Sequence, residues 1–276
     1  MQATNTKLEI AHQYVEYTNK NVFLTGKAGT GKTTFLKNLR KNSSKRIAVV
    51  APTGVAAINA GGVTMHSMFH LSFAPFIPGQ ADRKEQFKFN KEKIRTLQGL
   101  DLLVIDEISM VRADVLDAID AVLRKYRNRT KPFGGLQLLM IGDLHQLAPV
   151  AKEEEWQILK QHYQSMYFFE SHALNQSHFV TIELTHIYRQ NDEVFISLLN
   201  KVRHRVLDAE SVSLLNSRYQ PKLSPEQSNG YIHLTTHNYA AQAINKSRLD
   251  ALRGKSYWFK VEITGDFPEP SYPNEF

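Results

Sequence analysis

The sequence predicts an α/β fold, a parallel sheet flanked by helices, and three observations carry that expectation. First, the glycine-rich run Gly26-Lys27-Ala28-Gly29-Thr30-Gly31-Lys32-Thr33 reads G-x-x-x-x-G-K-T. It stands between an apolar, β-prone segment, 21–25, and a helix-like one, 34–40. Second, residues 46–51, 100–105 and 136–141 are nearly continuous apolar runs that end in small or polar residues. Strands buried on both faces read this way, and that is the condition of parallel strands covered by helices. Third, segments with helical spacing separate the runs. Residues 111–127, for example, place Val111, Val115, Leu116, Ile119, Val122 and Leu123 on one face.

Length and composition bound what such a fold can serve. At 276 residues the chain can hold one large domain, or one domain and part of a second. Charged residues make up 22% and hydrophobic ones 42%, an ordinary globular balance. The net charge of +7 suits a polyanionic partner, nucleic acid first, or serves solubility alone. With no cysteine, disulfides and thiolate sites are excluded. The N-terminus lacks a signal peptide's apolar run, and no stretch approaches the ~20 apolar residues of a membrane span. The expected location is the cytoplasm or the nucleoid, or the nucleus or mitochondrion of a eukaryote.

The glycine loop fixes the chemistry of the first unit. Its glycines let consecutive backbone N–H groups turn onto phosphate oxygens, and the N-terminal end of the next helix adds partial positive charge. Lys32 can reach the β- and γ-phosphates, and the Thr33 hydroxyl can hold Mg²⁺, so ATP and Mg²⁺ are the expected cofactors. Gly26, Ala28, Gly29, Thr30, Gly31 and Thr34 complete the nucleotide-binding set. Upstream, residues 7–19 have Leu8, Ala11 and Val15 at helix spacing. Gln13 on this helix either reads adenine through its amide or is a surface glutamine.

Downstream, 46–51 is the second strand, and 52–57 turns from it into a helix. Thr53 and Gly54 there present a hydroxyl and an N–H that suit a phosphodiester. Residues 61–67, with Thr64, His66 and Ser67, repeat the theme. Both stretches also read as connecting turns. The character changes over 71–99. Residues 71–80 are aromatic and proline-rich, and 82–95 carry six Lys/Arg against three Asp/Glu, interleaved with Phe87 and Phe89. Stacking plus phosphate pairing is how single-stranded nucleic acid is held; a small insertion anchored to the core is the other reading.

Residues 100–107 form an apolar strand ending in two carboxylates. Asp106 is placed to hold Mg²⁺ and Glu107 to polarise an attacking water. Buried without a cation, this pair would be costly. The helix 111–127 runs into five positive charges, and no negative one, over 124–131. They suit either a helix dipole or DNA. After the strand 136–141, Gln146 sits where it can sense a γ-phosphate. Segments 166–170 and 179–184 extend the sheet. Arg189 lies between the latter and a helix over 192–204, so it can face the nucleotide. The Ser/Pro/Gln/Asn-rich stretch 221–230 marks a domain boundary, followed by a strand at 231–236, a helix at 238–253 and a strand at 255–264.

Five blocks thus stand in one order: 26–33, 51–57, 102–110, 141–150 and 184–190. Together they resemble the PIF-type DNA helicases, relatives of RecD within helicase superfamily one, and the resemblance covers roughly residues 8–264. It implies a RecA-like P-loop NTPase domain over 1–220 with a wedge subdomain inserted at about 71–99. It also implies the start of a second, incomplete RecA-like domain over 221–276. The implied activity is ATP-driven 5′-to-3′ translocation on single-stranded DNA and unwinding of duplexes, forks and G-quadruplexes by a monomer, in DNA repair, recombination and telomere maintenance. Lys32, Thr33, Asp106, Glu107, Gln146 and Arg189 match the family's ATP-site positions. Thr53, Gly54, Val55, Thr64, His66 and Ser67 match its DNA contacts, and Pro75 and Phe76 fall in its wedge. Two positions depart: the family's adenine-reading glutamine lies upstream of Gln13, and Ala148 stands where proline is usual. The family continues into a full second domain with a second arginine finger, whereas this chain stops soon after that domain's first strand and helix. It therefore reads as a fragment with weak hydrolysis. Two other readings stand beside the motor: a nucleotide-gated single-strand-binding module without productive turnover, and a P-loop ATPase or kinase acting on another substrate.

Overall fold

The computed structural model describes residues 6–79, 88–221, 230–255, 257, 259, 260 and 262. Contacts divide the chain into two compact units, Met1–Leu207 and Asp208–Phe276. In the first unit the elements run α1 (Thr6–Tyr17), β1 (Asn21–Gly26), α2 (Lys32–Asn42), β2 (Ile47–Ala51), α3 (Gly54–Ala60), β3 (Val63–Thr64), α4 (Met65–Phe69) and α5 (Lys91–Gly99). They continue with β4 (Leu102–Ile105), α6 (Ala113–Tyr126), β5 (Gln137–Gly142), α7 (Glu153–Leu159), α8 (His172–Asn175), β6 (Phe179–Leu184) and α9 (Glu193–His204).

The expected parallel sheet forms, with six strands in the order β3-β2-β4-β5-β1-β6. Because successive side chains of a strand point to opposite faces, each apolar run feeds two cores. Leu103, Ile105, Leu138, Met140 and Phe23 join one cluster with Leu116, Ile119 and Leu123 of α6. Leu102, Val104, Leu139, Ile141, Val22 and Leu24 join the other with Ala11 and Val15 of α1 and Leu36 and Leu39 of α2. The unbroken apolar strands of the sequence are thus covered on both faces.

Strand order positions the site. β5 lies between β1 and β4, and the register sets Thr25 opposite Gly142 and Ile105 opposite Met140. The carboxyl ends of the three strands therefore sit side by side, and ligands of open α/β sheets gather at that edge. Local chemistry starts the helices there. The Thr53 hydroxyl accepts from the Ala56 N–H at 3.2 Å and the Thr64 hydroxyl from the Ser67 N–H at 3.2 Å, capping α3 and α4.

Several expected elements differ. Residues 166–170 do not extend the sheet: Tyr167 makes only an isolated antiparallel bridge to Arg112, and Phe168–Glu170 is a 3-10 turn. Their aromatics serve packing, with Phe168 buried edge-on against Phe23 at 5.3 Å between ring centroids. The insertion is anchored at both ends, since Leu71 and Leu97 are buried in the main core and Phe76 and Phe89 pack against it; Phe87 lies outside the described residues. The basic run after α6 is partly consumed internally. Arg124 pairs with Asp120 at 2.7 Å, and Arg127 Nη1 donates to the carbonyls of Leu97, Gln98 and Leu100.

In the second unit, α10 (Ala209–Asn216) is capped by Asp208, which accepts from the Ser211 N–H at 2.8 Å, and α11 (Asn238–Asp250) follows. Residues 231–236 form no strand. Ile232 and Leu234 are 89% and 94% exposed, and β propensity is expressed only where a neighbouring strand completes the ladder. Of 255–264, the described residues carry no strand, and the rest lie outside the description. Among the described residues no helix is long and apolar enough to cross a membrane.

Candidate active site

The loop between β1 and α2 encloses one end of a cavity of about 740 Å³. Ala28, Gly29, Thr30, Gly31, Lys32, Thr33 and Thr34 line it, joined by Glu107, Gln146, Tyr188 and Arg189 from three other loops. Four residues far apart in the chain, Lys32, Glu107, Gln146 and Arg189, therefore meet at one cleft. Gly26, the first glycine of the motif, is buried beneath the loop.

Close approach explains the glycine at 29. Its φ is +80°, and a Cβ there would lie 2.6 Å from the Arg189 Cβ. The Tyr188 N–H donates to the Gly29 carbonyl at 2.8 Å, so the segment bearing Arg189 is seated on the phosphate loop. Lys32 Nζ donates to the carbonyls of Gly26 and Lys27, which holds the ammonium inside the loop. Burial pushes the Lys32 pKa down, opposed by the carboxylates of Asp143, Glu107 and Asp106.

Asp106 and Glu107 follow β4 directly. Burial raises the pKa of both, and for Glu107 the neighbouring Asp106 charge adds to it. Glu107 adopts φ 52° and ψ 44°, a left-handed conformation uncommon outside glycine. The 3-10 turn Ile108–Met110 follows it, and Gly142 of β5 lets this turn come close: a Cβ at Gly142 would lie 2.8 Å from Ile108 Cγ2. Glu107 lines the cavity, whereas Asp106 does not. The Thr33 hydroxyl and the Asp106 carboxylate are oxygen donors of the kind a hard cation takes, and two part-buried carboxylates gain from one. Among the described residues no cluster of three or more His, Asp or Glu side chains is poised for a metal, so a cation here would share its coordination with phosphate and water.

One wall of the cavity comes from α1, through Leu8, Glu9 and His12. Gln13 is exposed and not on this wall, because one residue further along a helix turns the side chain by about 100°. The expected adenine reader is therefore not placed at the cleft. His12 and Tyr188 are lining residues that sequence reasoning missed; Tyr188 stood inside a quoted block, while His12 carried no signal.

The expected DNA contacts gather at the neighbouring strand ends, after β2 and β3. Thr53, Gly54 and Ser67 are exposed, Val55 is 73% exposed, and Thr64 is half-buried as a helix cap. His66 stacks on Phe73 with ring centroids 4.9 Å apart. Burial, with Arg112 nearby, lowers the His66 pKa and favours the neutral ring. Phe76 packs against the main core and its N–H donates to Asp114 at 2.9 Å, and Pro75 beside it is half-buried. In the same segment Phe73 is 78% exposed.

Residues 4–210 match the sequence model of the PIF1-like helicase family. The chain belongs to the PIF1-like helicase family. It is 33% identical to the ATP-dependent DNA helicase PIF1 of Saccharomyces cerevisiae over 248 residues, covering 87% of this chain and 28% of that protein. Against human PIF1 the identity is 36% over 248 residues, covering 88% and 36%. The fold matches a crystal structure of Bacteroides Pif1 bound to single-stranded DNA, with a TM-score of 0.86 and 40% identity, over 100% of this chain and 62% of that one. It matches Bacteroides Pif1 in complex with ADP-AlF3 and single-stranded DNA with a TM-score of 0.85 and 42% identity, over 100% and 63%. The chain thus spans about a third of the length of these curated PIF1 relatives.

Proposed function

We propose that this chain is the ATP-binding and single-strand-contacting part of a 5′-to-3′ DNA helicase. The observation that carries the reading is the meeting of Lys32, Glu107, Gln146 and Arg189 at one phosphate-loop cavity. The Bacteroides Pif1 structures with single-stranded DNA and ADP-AlF3 support it.

In this reading the loop N–H groups and Lys32 hold the β- and γ-phosphates. Glu107 accepts the proton of the attacking water, and its burial-raised pKa brings it nearer the working pH. Gln146 meets the γ-phosphate, and Arg189 neutralises charge developing on it. Thr33 and Asp106 would hold Mg²⁺, which when bound would supply positive charge beside the phosphates. Thr53, Gly54, Val55, Thr64, His66 and Ser67 contact the single strand, mainly at its phosphates. Residues 221–276 begin a second RecA-like domain, and residues 71–99 form the wedge. Forked and G-quadruplex DNA are the proposed duplex-side substrates, a monomer is the working unit, and the location is wherever the cell keeps its DNA.

Two titrations test this. Lys32→Ala should abolish Mg²⁺–ATP binding or weaken it severely, since Lys32 is the ammonium held inside the loop by the Gly26 and Lys27 carbonyls; unchanged affinity would show that the cavity is not the nucleotide site. Single-strand affinity should fall linearly with log salt, by about 0.7 per phosphate neutralised. A flat salt response would remove DNA from the reading.

A further inference from the structure

Asp143 stands at the end of β5, and its side chain is 1% exposed. Four donors converge on it: Arg203 Nη1 at 2.7 Å, Arg203 Nη2 at 2.6 Å, the His145 N–H at 3.1 Å and Gln146 Nε2 at 3.3 Å. The carboxylate that grips Arg203 thus also holds the amide of the proposed γ-phosphate sensor. Arg203 is itself largely enclosed, 18% exposed. α9, which carries it, reaches the phosphate loop as well: Lys27 Nζ donates to Asn200 Oδ1 at 2.7 Å. Asn200 and Arg203 are three positions apart and share a helix face. One helix therefore braces both the phosphate loop and the sensor loop.

Charge gives this brace a chemical purpose. The Asp143 carboxylate, like those of Glu107 and Asp106, raises the Lys32 pKa against the effect of burial, and it raises that of Glu107 too. A buried carboxylate without its own cation would compete with phosphate for Lys32 and repel the γ-phosphate. The guanidinium fork satisfies both carboxylate oxygens in a fixed plane, which a lysine cannot do. We propose that Arg203 is a positioning residue for ATP hydrolysis: by neutralising and fixing Asp143, it orients Gln146 toward the γ-phosphate and leaves Lys32 to the nucleotide. The proposal rests on the ATP-site reading above. Arg203 lies outside every motif block of the sequence and does not line the cavity.

The test uses the 276-residue chain and the dissociation constants of ATPγS and ADP, with Mg²⁺ present, for the parent, Arg203→Met, Arg203→Lys and the double variant Asp143→Asn/Arg203→Met. Parent protein that binds neither nucleotide refutes the ATP-site reading itself. Given parent binding, Arg203→Met should lose roughly tenfold or more in ATPγS affinity and distinctly less in ADP affinity, which lacks the phosphate that Gln146 meets. Arg203→Lys should fall between. The double variant should regain most of the lost affinity, because no unpaired carboxylate remains. An unchanged ATPγS-to-ADP ratio across the variants, or equal losses that follow a lowered melting temperature, would overturn the proposal and leave Arg203 a structural residue. Should Arg203→Met fail to fold, Arg203→Lys and the double variant supply the same ratio and decide on the same terms.

Discussion

Replacing Asp117 by alanine should destabilise the fold more than any surface change, and the structure lets the size of the effect be worked out. Asp117 is 5% exposed on α6. Its Oδ1 accepts from Ser171 Oγ at 2.6 Å and the Ala173 N–H at 3.0 Å. Its Oδ2 accepts from the Tyr163 hydroxyl at 2.8 Å and the His172 N–H at 3.1 Å. This carboxylate joins α6 to the segment that starts α8, where the Ser171 hydroxyl also caps the helix by accepting from Leu174. Alanine leaves the donors of Tyr163, Ser171 and Ala173 buried and unmet, at about 1–3 kcal/mol each. The hydroxyls can rotate toward other acceptors and the backbone N–H cannot, so the net loss should be about 4 kcal/mol, a large share of the ~5–15 kcal/mol that holds a typical domain. Asparagine keeps one acceptor oxygen and turns an NH₂ toward the His172 N–H, so Asp117→Asn should lose about 2 kcal/mol. Urea denaturation followed by tryptophan fluorescence reads this locally, because Trp156 packs with Tyr163 in one small cluster. An unfolding free energy for Asp117→Ala within about 1 kcal/mol of the parent's, or an asparagine variant worse than the alanine one, would refute the reasoning.

Two further outcomes follow from the site's surroundings. Phe73→Ala should weaken single-strand binding by about 1 kcal/mol or more through lost stacking, with little change in thermal stability; Phe76→Ala should instead lower stability by about 2 kcal/mol, since its ring packs on the core. Paired binding and melting curves in which these effects are exchanged would place the wedge at Phe76 and not at Phe73. Burial would raise the Glu16 pKa, but hydrogen bonds from Ser43 and Ser44 outweigh it and bring it from 4.5 down to about 2. A depressed folded-state pKa means that Glu16 contributes stability above pH 4.5, and that this is lost as the pH falls toward 2. Glu16→Gln should therefore flatten the stability–pH slope across that window, and an unchanged slope measured by urea titration at several pH values would exclude the assignment.

The parallel sheet and the family were legible in the chain because both rest on local pattern. Continuous apolar runs such as 102–105 need two covered faces, and the glycine loop needs a strand before it and a helix after it, whatever lies elsewhere. Helix caps are equally local, as Thr53 and Thr64 illustrate. Contacts made across the sheet edge were not legible. Asp143 and Arg203 meet over sixty positions of sequence, and nothing in either residue's neighbourhood announces the pair. The same holds for aromatics: Phe73, Phe76 and Phe168 look alike in sequence, yet one projects, one packs against the core and one is buried. Propensity also misled at 231–236, where β-prone residues find no ladder partner among the described residues. Spacing of two or 3.6 residues specifies which face of an element is apolar. Which side chains meet is decided by strand order, and here the insertion of β5 between β1 and β4 is what brings Gln146, Glu107 and Lys32 to one cleft.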